Sequence, residues 1–283
     1  MLRNPMPFFR HAGHRLAYTI YGEGPRTCVL VHGLLLSQKM HAPLARALAE
    51  RGNRVVTLDL LGHGRSDRPR DMTQYSMSFF GEQMIALLDH LEVDEAVLAG
   101  TSLGANSSLE AAAFAPERVR GLVIEMPVLD NALLGVAIAF TPLLLALTFG
   151  EPIMKLVARG ARLVPSGRGP LLLDVGLDTI RQDPGPSAAV LQGLFFGRTA
   201  PHKALRRTLQ APTLVIGHQR DPVHPFSDSD ALVEELPNAT LVEATSILEL
   251  RISPERLTGE IAEFLDTCWK PRRRRVSRGR RVA

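Results

Sequence analysis

A chain of 283 residues that is 45% hydrophobic has enough apolar side chain for one large core, or for a core carrying an insertion, and is not a disordered or collagen-like sequence. The formal charge of +4 belongs to one end: the last fourteen residues, from Lys270, hold eight Lys or Arg and no acid, leaving 25 basic against 29 acidic residues elsewhere. A body of that balance calls for no specific nucleic-acid partner, and the tail (270–283) is expected to be a solvated, disordered basic appendage able to touch an anionic surface. Cys28 and Cys268 lie far apart without metal-type spacing, so neither a disulfide framework nor a zinc site is expected. The first residues, MLRNPMPFFRHAG, place no long apolar run behind the arginine, which argues against a signal peptide and for a cytoplasmic location.

In chain order, residues 14–21 partly alternate and contain aromatic and β-branched side chains, after which Gly22 and Gly24 mark a turn. Residues 27–31 form a continuous apolar run, as expected of a strand buried on both faces. A helix is expected over 42–50, stopped by Gly52 and Asn53, and a second buried strand over 54–60. The glycine-punctuated loop 61–67 follows, then an amphipathic helix over 78–91. Residues 97–99 read as a strand and 103–115 as a helix ending before Pro116, with another strand over 119–125. Strands that alternate with helices in this way indicate a parallel sheet covered on both faces.

From 127 to 210 the pattern breaks into Leu, Gly and Pro-rich sequence. Residues 132–149 are eighteen residues without a charge, at the lower length limit for a membrane span, but Gly135, Thr141 and Pro142 interrupt them. A span there would also separate two halves of one sheet, so this run and the apolar run 171–177 are read as helices of an inserted cap. Strand character returns at 213–217 and 240–244, and helices are expected over 228–236 and 254–269. The expected organisation is an α/β core over 1–126 and 211–269 with a helical cap over 127–210.

The chemistry centres on Gly100-Thr-Ser-Leu-Gly104, a G-x-S-x-G pentapeptide between the strand at 97–99 and the helix at 103–115. Strand, sharp turn and helix in that order are the context of a nucleophile elbow, which would present Ser102. No metal cluster, phosphate loop or dinucleotide fingerprint is visible, so no cofactor is expected.

Taken with HGLLLS at 32–37, DLLGHGRSD at 59–67, GHQRDPVHP at 217–225 and LPNA at 236–239, the pentapeptide makes the chain resemble the α/β-hydrolase family with an inserted lid, from residue 14 to 266. The resemblance implies a mostly parallel central sheet flanked by helices, Ser102 as nucleophile, and the backbone N–H groups of Leu34 and Leu103 as oxyanion donors. Asp221, four residues past Gly217, matches the family's acid, with Glu125 and Asp130 as alternatives because some relatives place the acid after the sixth strand. His32 and His63 read as loop scaffold. The family's histidine usually follows the last strand as Gly-His, but that place falls near Ser246 and Ile247, and no histidine occurs after His224. The base is then expected from His224, three residues beyond Asp221 on the same loop, with Asp221, Glu125 or Asp130 as the acid, or from His202 or His41.

Two functions follow from this. The first is a serine hydrolase of the esterase or lipase type, acting on an ester or related acyl compound with an apolar group. Serine at the elbow sets the chain apart from the family's dehalogenase and epoxide-hydrolase chemistries, which use a carboxylate nucleophile. The alternative is a weak or inactive member of the fold that binds an apolar ligand. Sequence does not separate either from cofactor-free decarboxylation, peroxidation or C–C cleavage on the same site.

Overall fold

The computed structural model describes residues 7–165 and 169–270; the basic run from residue 271 onward lies outside them. Eight strands form one sheet in the order β1-β2-β4-β3-β5-β6-β7-β8. β1 (Phe8–His11), β2 (His14–Tyr21) and β4 (Arg54–Leu58) are joined by antiparallel pairings, whereas β3 (Thr27–Val31), β4, β5 (Ala96–Thr101), β6 (Val119–Glu125), β7 (Thr213–His218) and β8 (Ala239–Ala244) are parallel. The parallel strands therefore share one carboxyl edge, where open α/β sheets gather their ligand sites.

Burial on both faces explains the unbroken apolar runs. In β3, Val29 and Val31 enter one core cluster and Cys28 and Leu30 the other; in β5, Leu98 and then Val97 and Ala99 divide the same way. That is the two-residue period of a pleated strand feeding two helical layers. One layer contains α2 (Met77–His90), α3 (Leu103–Phe114) and α9 (Phe226–Glu235), whose Phe80, Met84, Leu109 and Leu232 meet the first face. The other contains α1 (Ala42–Glu50) and α11 (Glu255–Cys268), with Leu44, Leu48, Ile261 and Leu265 against the second. Both cysteines are free thiols buried in this second layer.

Between β6 and β7 the chain leaves the sheet and forms α4 (Leu133–Phe149), α5 (Glu151–Arg162), α6 (Leu171–Ile180), α7 (Pro184–Phe195) and the short α8 (Lys203–Arg206). Its departure is tied down from the core. Asp228 on α9 is buried, and its carboxylate accepts N–H bonds from Leu129 (2.6 Å), Asn131 (3.1 Å) and Ala132 (3.1 Å), the turn that opens α4. A side chain from α9 thereby does the work of an N-cap for a helix nearly a hundred residues earlier. Asn106 on α3 adds a second tie, bonding the carbonyls of Val128 and Thr199, each at 2.7 Å.

Candidate active site

Ser102 sits between β5 and α3 with a φ of 52° and a ψ of −107°, a strained conformation for a side-chain-bearing residue. The tight turn depends on its glycines. A Cβ on Gly104 would lie 2.2 Å from the Val31 carbonyl oxygen, and one on Gly100 would lie 2.2 Å from the Gly104 carbonyl carbon. Both contacts are with backbone, which cannot yield as a flexible side chain would. The turn is also held from beneath, because the Ser102 N–H donates to the Glu125 carbonyl oxygen at 2.9 Å.

A histidine reaches Ser102 from the loop after β7. His224 Nε2 lies 2.9 Å from Ser102 Oγ, and His224 Nδ1 lies 2.9 Å from Asp221 Oδ2. An ionised carboxylate only accepts, so the proton sits on Nδ1 and leaves the Nε2 lone pair free to accept from the Ser102 hydroxyl. Asp221 also accepts the backbone N–H groups of Val223 at 2.8 Å and His224 at 3.0 Å. Burial works to raise its pKa, but the bond from the His224 ring and these two N–H bonds outweigh it and hold the carboxyl below its usual value. One carboxylate thus shapes the loop, orients the ring and stays charged.

Leu103 is the first residue of α3, so its N–H has no partner within the helix, and it lines the same cavity as Leu34, Ser102 and His224. That cavity measures about 80 Å³ and is mostly apolar, with Met77, Val128, Phe140, Leu191 and Val223 among its walls beside Asn106 and Thr199. A larger polar cavity of about 380 Å³, between residues 37–39 and the α5–α6 region, does not include Ser102. A void of about 430 Å³ beside His14, Thr73 and Phe79 also lies away from Ser102, so the chemistry is not in either of the larger voids.

Comparison with known proteins bears on the fold that carries this site. The model of the α/β hydrolase fold family matches residues 27–152. Over 93% of this chain and 99% of the other, the structure superposes on a hydrolase from Pseudomonas aeruginosa with a TM-score of 0.76 at 23% identity. An enol-lactonase from Burkholderia xenovorans gives 0.75 at 19% identity, over 92% of this chain and all of that one. The chain is an α/β-hydrolase-fold protein. Among curated sequences it is 38% identical over 125 residues to the dihydrolipoyllysine-residue acetyltransferase component of the acetoin cleaving system of Pseudomonas putida, and 34% identical over 110 residues to bifunctional epoxide hydrolase 2 of Mus musculus. These matches cover 42% and 39% of this chain, and only 32% and 20% of the relatives' own lengths. Hydrolases are thus among the proteins this α/β-hydrolase-fold chain is similar to.

The other residues expected near the site go elsewhere. Glu125, an alternative acid, is buried under the elbow, where Arg251 grips it at 2.6 Å and 3.2 Å and also donates to Thr101 Oγ1 at 2.8 Å. Burial opposes ionisation of Glu125, but the adjacent guanidinium overrides it and holds its pKa far below the usual value. Asp130 is exposed on the turn before α4. Of the three expected acids, Asp221, three residues before His224 on the same loop, is the one that meets the histidine, and Glu125 and Asp130 do not. His41 is buried and bonds the Val31 carbonyl at 3.0 Å, while His202 is exposed before α8. His32 accepts the Leu60 N–H and bonds the Gly33 carbonyl, and His63 bonds the Leu61 carbonyl, so both brace loops.

Arg251 is the residue that sequence reasoning missed. It lies on α10 (Glu249–Ile252), a few residues beyond the place where the family carries Gly-His. A cation so close to Ser246 and Ile247, where the histidine is absent, is the sequence signal for it.

Proposed function

We propose that the protein is a serine hydrolase that cleaves an ester or related acyl compound bearing an apolar group. The observation that carries this reading is the relay Ser102 Oγ, His224 Nε2 and Nδ1, Asp221 Oδ2, with both contacts at 2.9 Å. In this mechanism Ser102 attacks the carbonyl carbon while its proton passes to His224 Nε2, and Asp221 stabilises the imidazolium that forms. The N–H groups of Leu103 and Leu34 donate to the oxyanion, and the start of α3 adds the positive end of a helix dipole. His224 then protonates the departing alcohol, and water attacks the acyl-enzyme by the same route.

The apolar cavity beside Ser102 supports an acyl group of hydrocarbon character, and Ser102 in place of a carboxylate speaks against an alkyl-enzyme mechanism. The ligand-binding alternative rested on a serine without a base. A histidine at hydrogen-bond distance from Ser102 supports the hydrolase reading over it.

A fluorophosphonate probe, which reacts with activated serines, tests the reading. The wild type is expected to label and to hydrolyse p-nitrophenyl butyrate, and Ser102→Ala to do neither above background. Equal labelling of both proteins would sink the proposal.

A further inference from the structure

The helical segment between β6 and β7 exposes hydrocarbon where a water-facing surface would be polar. On α4, Leu134, Ile138, Leu145 and Phe149 follow one another at helical spacing on the outer side, while Val136 and Phe140 of the same helix line the Ser102 cavity. This helix is long and apolar enough to cross a membrane by composition, yet its inner residues are engaged by the protein. The next helix is inverted. α5 is strongly amphipathic, but its apolar stripe, Ile153, Leu156 and Val157, points outward and Leu163 continues it, whereas Ala158 is the residue it buries. Leu134, Ile138, Phe149, Ile153, Leu156 and Leu163 are each between 67% and 86% exposed. An apolar surface of this extent on a soluble domain marks an interaction site.

The charges around it select the partner. Among the described residues from Asn131 to Leu173 the basic side chains are Lys155, Arg159 and Arg162, against a single acid, Glu151, which pairs with Lys155 and Arg70. Arg159 is exposed on the same helix as the outward apolar stripe, and Arg162, also exposed, keeps its charge while donating to the Arg181 carbonyl. A two-fold contact between copies would set this net-positive face against itself. An anionic bilayer complements both features, because hydrocarbon enters the acyl region while lysine and arginine reach the headgroups.

We infer that the outer faces of α4 and α5 are a docking surface for an anionic phospholipid bilayer, on which the protein lies without spanning it. Docking there sets the outer side of the helix that walls the Ser102 cavity against the lipid. The surface acts independently of the chemistry at Ser102, so the two can fail separately.

The test uses the full chain carrying Ser102→Ala, so that no lipid is consumed, with vesicles of phosphatidylcholine alone and of phosphatidylcholine mixed equally with phosphatidylglycerol. Flotation should show partitioning onto the mixed vesicles at least about tenfold stronger than onto phosphatidylcholine. Arg159→Glu should weaken binding to the mixed vesicles by roughly fivefold or more. Ile138→Glu with Leu156→Glu should reduce it by about tenfold or more. With Ser102 intact, that double variant should keep its thermal midpoint and its turnover of p-nitrophenyl acetate, a water-soluble ester. The proposal is overturned if neither vesicle binds the protein, or if the double variant binds as well as its parent. It is equally overturned if the protein forms a dimer in solution that the double variant dissolves, since the face then belongs to a second copy.

Discussion

At the scale of single residues, the distance of three between Asp221 and His224 lets one carboxylate perform two tasks. Its Oδ1 accepts the N–H groups of Val223 and His224 and thereby curls the loop, while its Oδ2 meets the ring of the histidine it has just positioned. Asp221→Asn separates these tasks. The amide oxygen can still accept the backbone bonds, but an NH₂ facing Nδ1 favours the tautomer that carries its proton on Nε2, which cannot take a proton from Ser102. The expected result is a fall in kcat of about 10⁴-fold, with a thermal midpoint close to that of the parent. Steady-state kinetics and a melting curve on the same preparation check both halves.

Glu125 and Arg251 present the opposite case, because their value is structural and their separation in sequence is large. Both are buried, and Arg251 holds Glu125 and Thr101 together directly under Ser102. Replacing Arg251 with Met leaves a carboxylate in the interior without its cation, at a cost of about 3–5 kcal/mol. Glu125→Gln together with Arg251→Met should recover part of that loss, which urea unfolding of the two variants would measure. If the single variant is as stable as the parent, Arg251 is not a strut.

At the scale of elements, the legible parts are those in which a local pattern and a tertiary role coincide. β3 and β6 are apolar because both of their faces are buried, and the reading of 27–31 and 119–125 agrees with the strands residue for residue. α1 and α3 likewise lie within a residue of the helices expected over 42–50 and 103–115. β1 was not anticipated: only Phe9 of its four residues is buried, so an edge strand paired on one side leaves little trace in the sequence. α7 was hidden for another reason. It begins Pro184-Gly185-Pro186, a composition that suggests a loop, and is held in place by packing against α4 and by the Asp183 carboxylate, which accepts the Gly185 N–H. At the site, Ser102 could be read because an elbow is written in five consecutive residues. The partnership of His224 with Asp221 depends on how one loop curls, and that of Arg251 with Glu125 on contacts 126 residues apart, and neither has a local pattern to read.

At the scale of the whole molecule, the core holds histidines that resist protonation, and this sets the acid limit of the fold. Burial lowers the pKa of His41 to about 3, and burial likewise moves His32 and His63 downward. In the unfolded chain these rings titrate near their ordinary value, about 6.5. Between that pH and the folded value of His41, the unfolded state binds the extra proton, so stability is lost as pH falls. The loss approaches about 1.4 kcal/mol per pH unit for each such ring. Asp221 and Glu125, with lowered pKa values, add a further loss only below the ordinary carboxylate range, as pH falls toward their folded values. Urea unfolding at pH 7, 6 and 5 should therefore show declining stability, and His41→Asn should decline less steeply, by about one proton's worth between pH 6 and 5. Parallel slopes would show that His41 is not the group concerned.

Activation of the serine at the β5–α3 elbow by the histidine of the β7–α9 loop decides whether this protein is a hydrolase. The most direct measurement is kcat/KM of His224→Ala for p-nitrophenyl butyrate beside the wild type, with circular dichroism showing the fold intact. Loss of the base should lower it by about 10³-fold or more, because members of such a relay act as a unit. Undiminished turnover in His224→Ala, still abolished by Ser102→Ala, would contradict the account and place the base elsewhere.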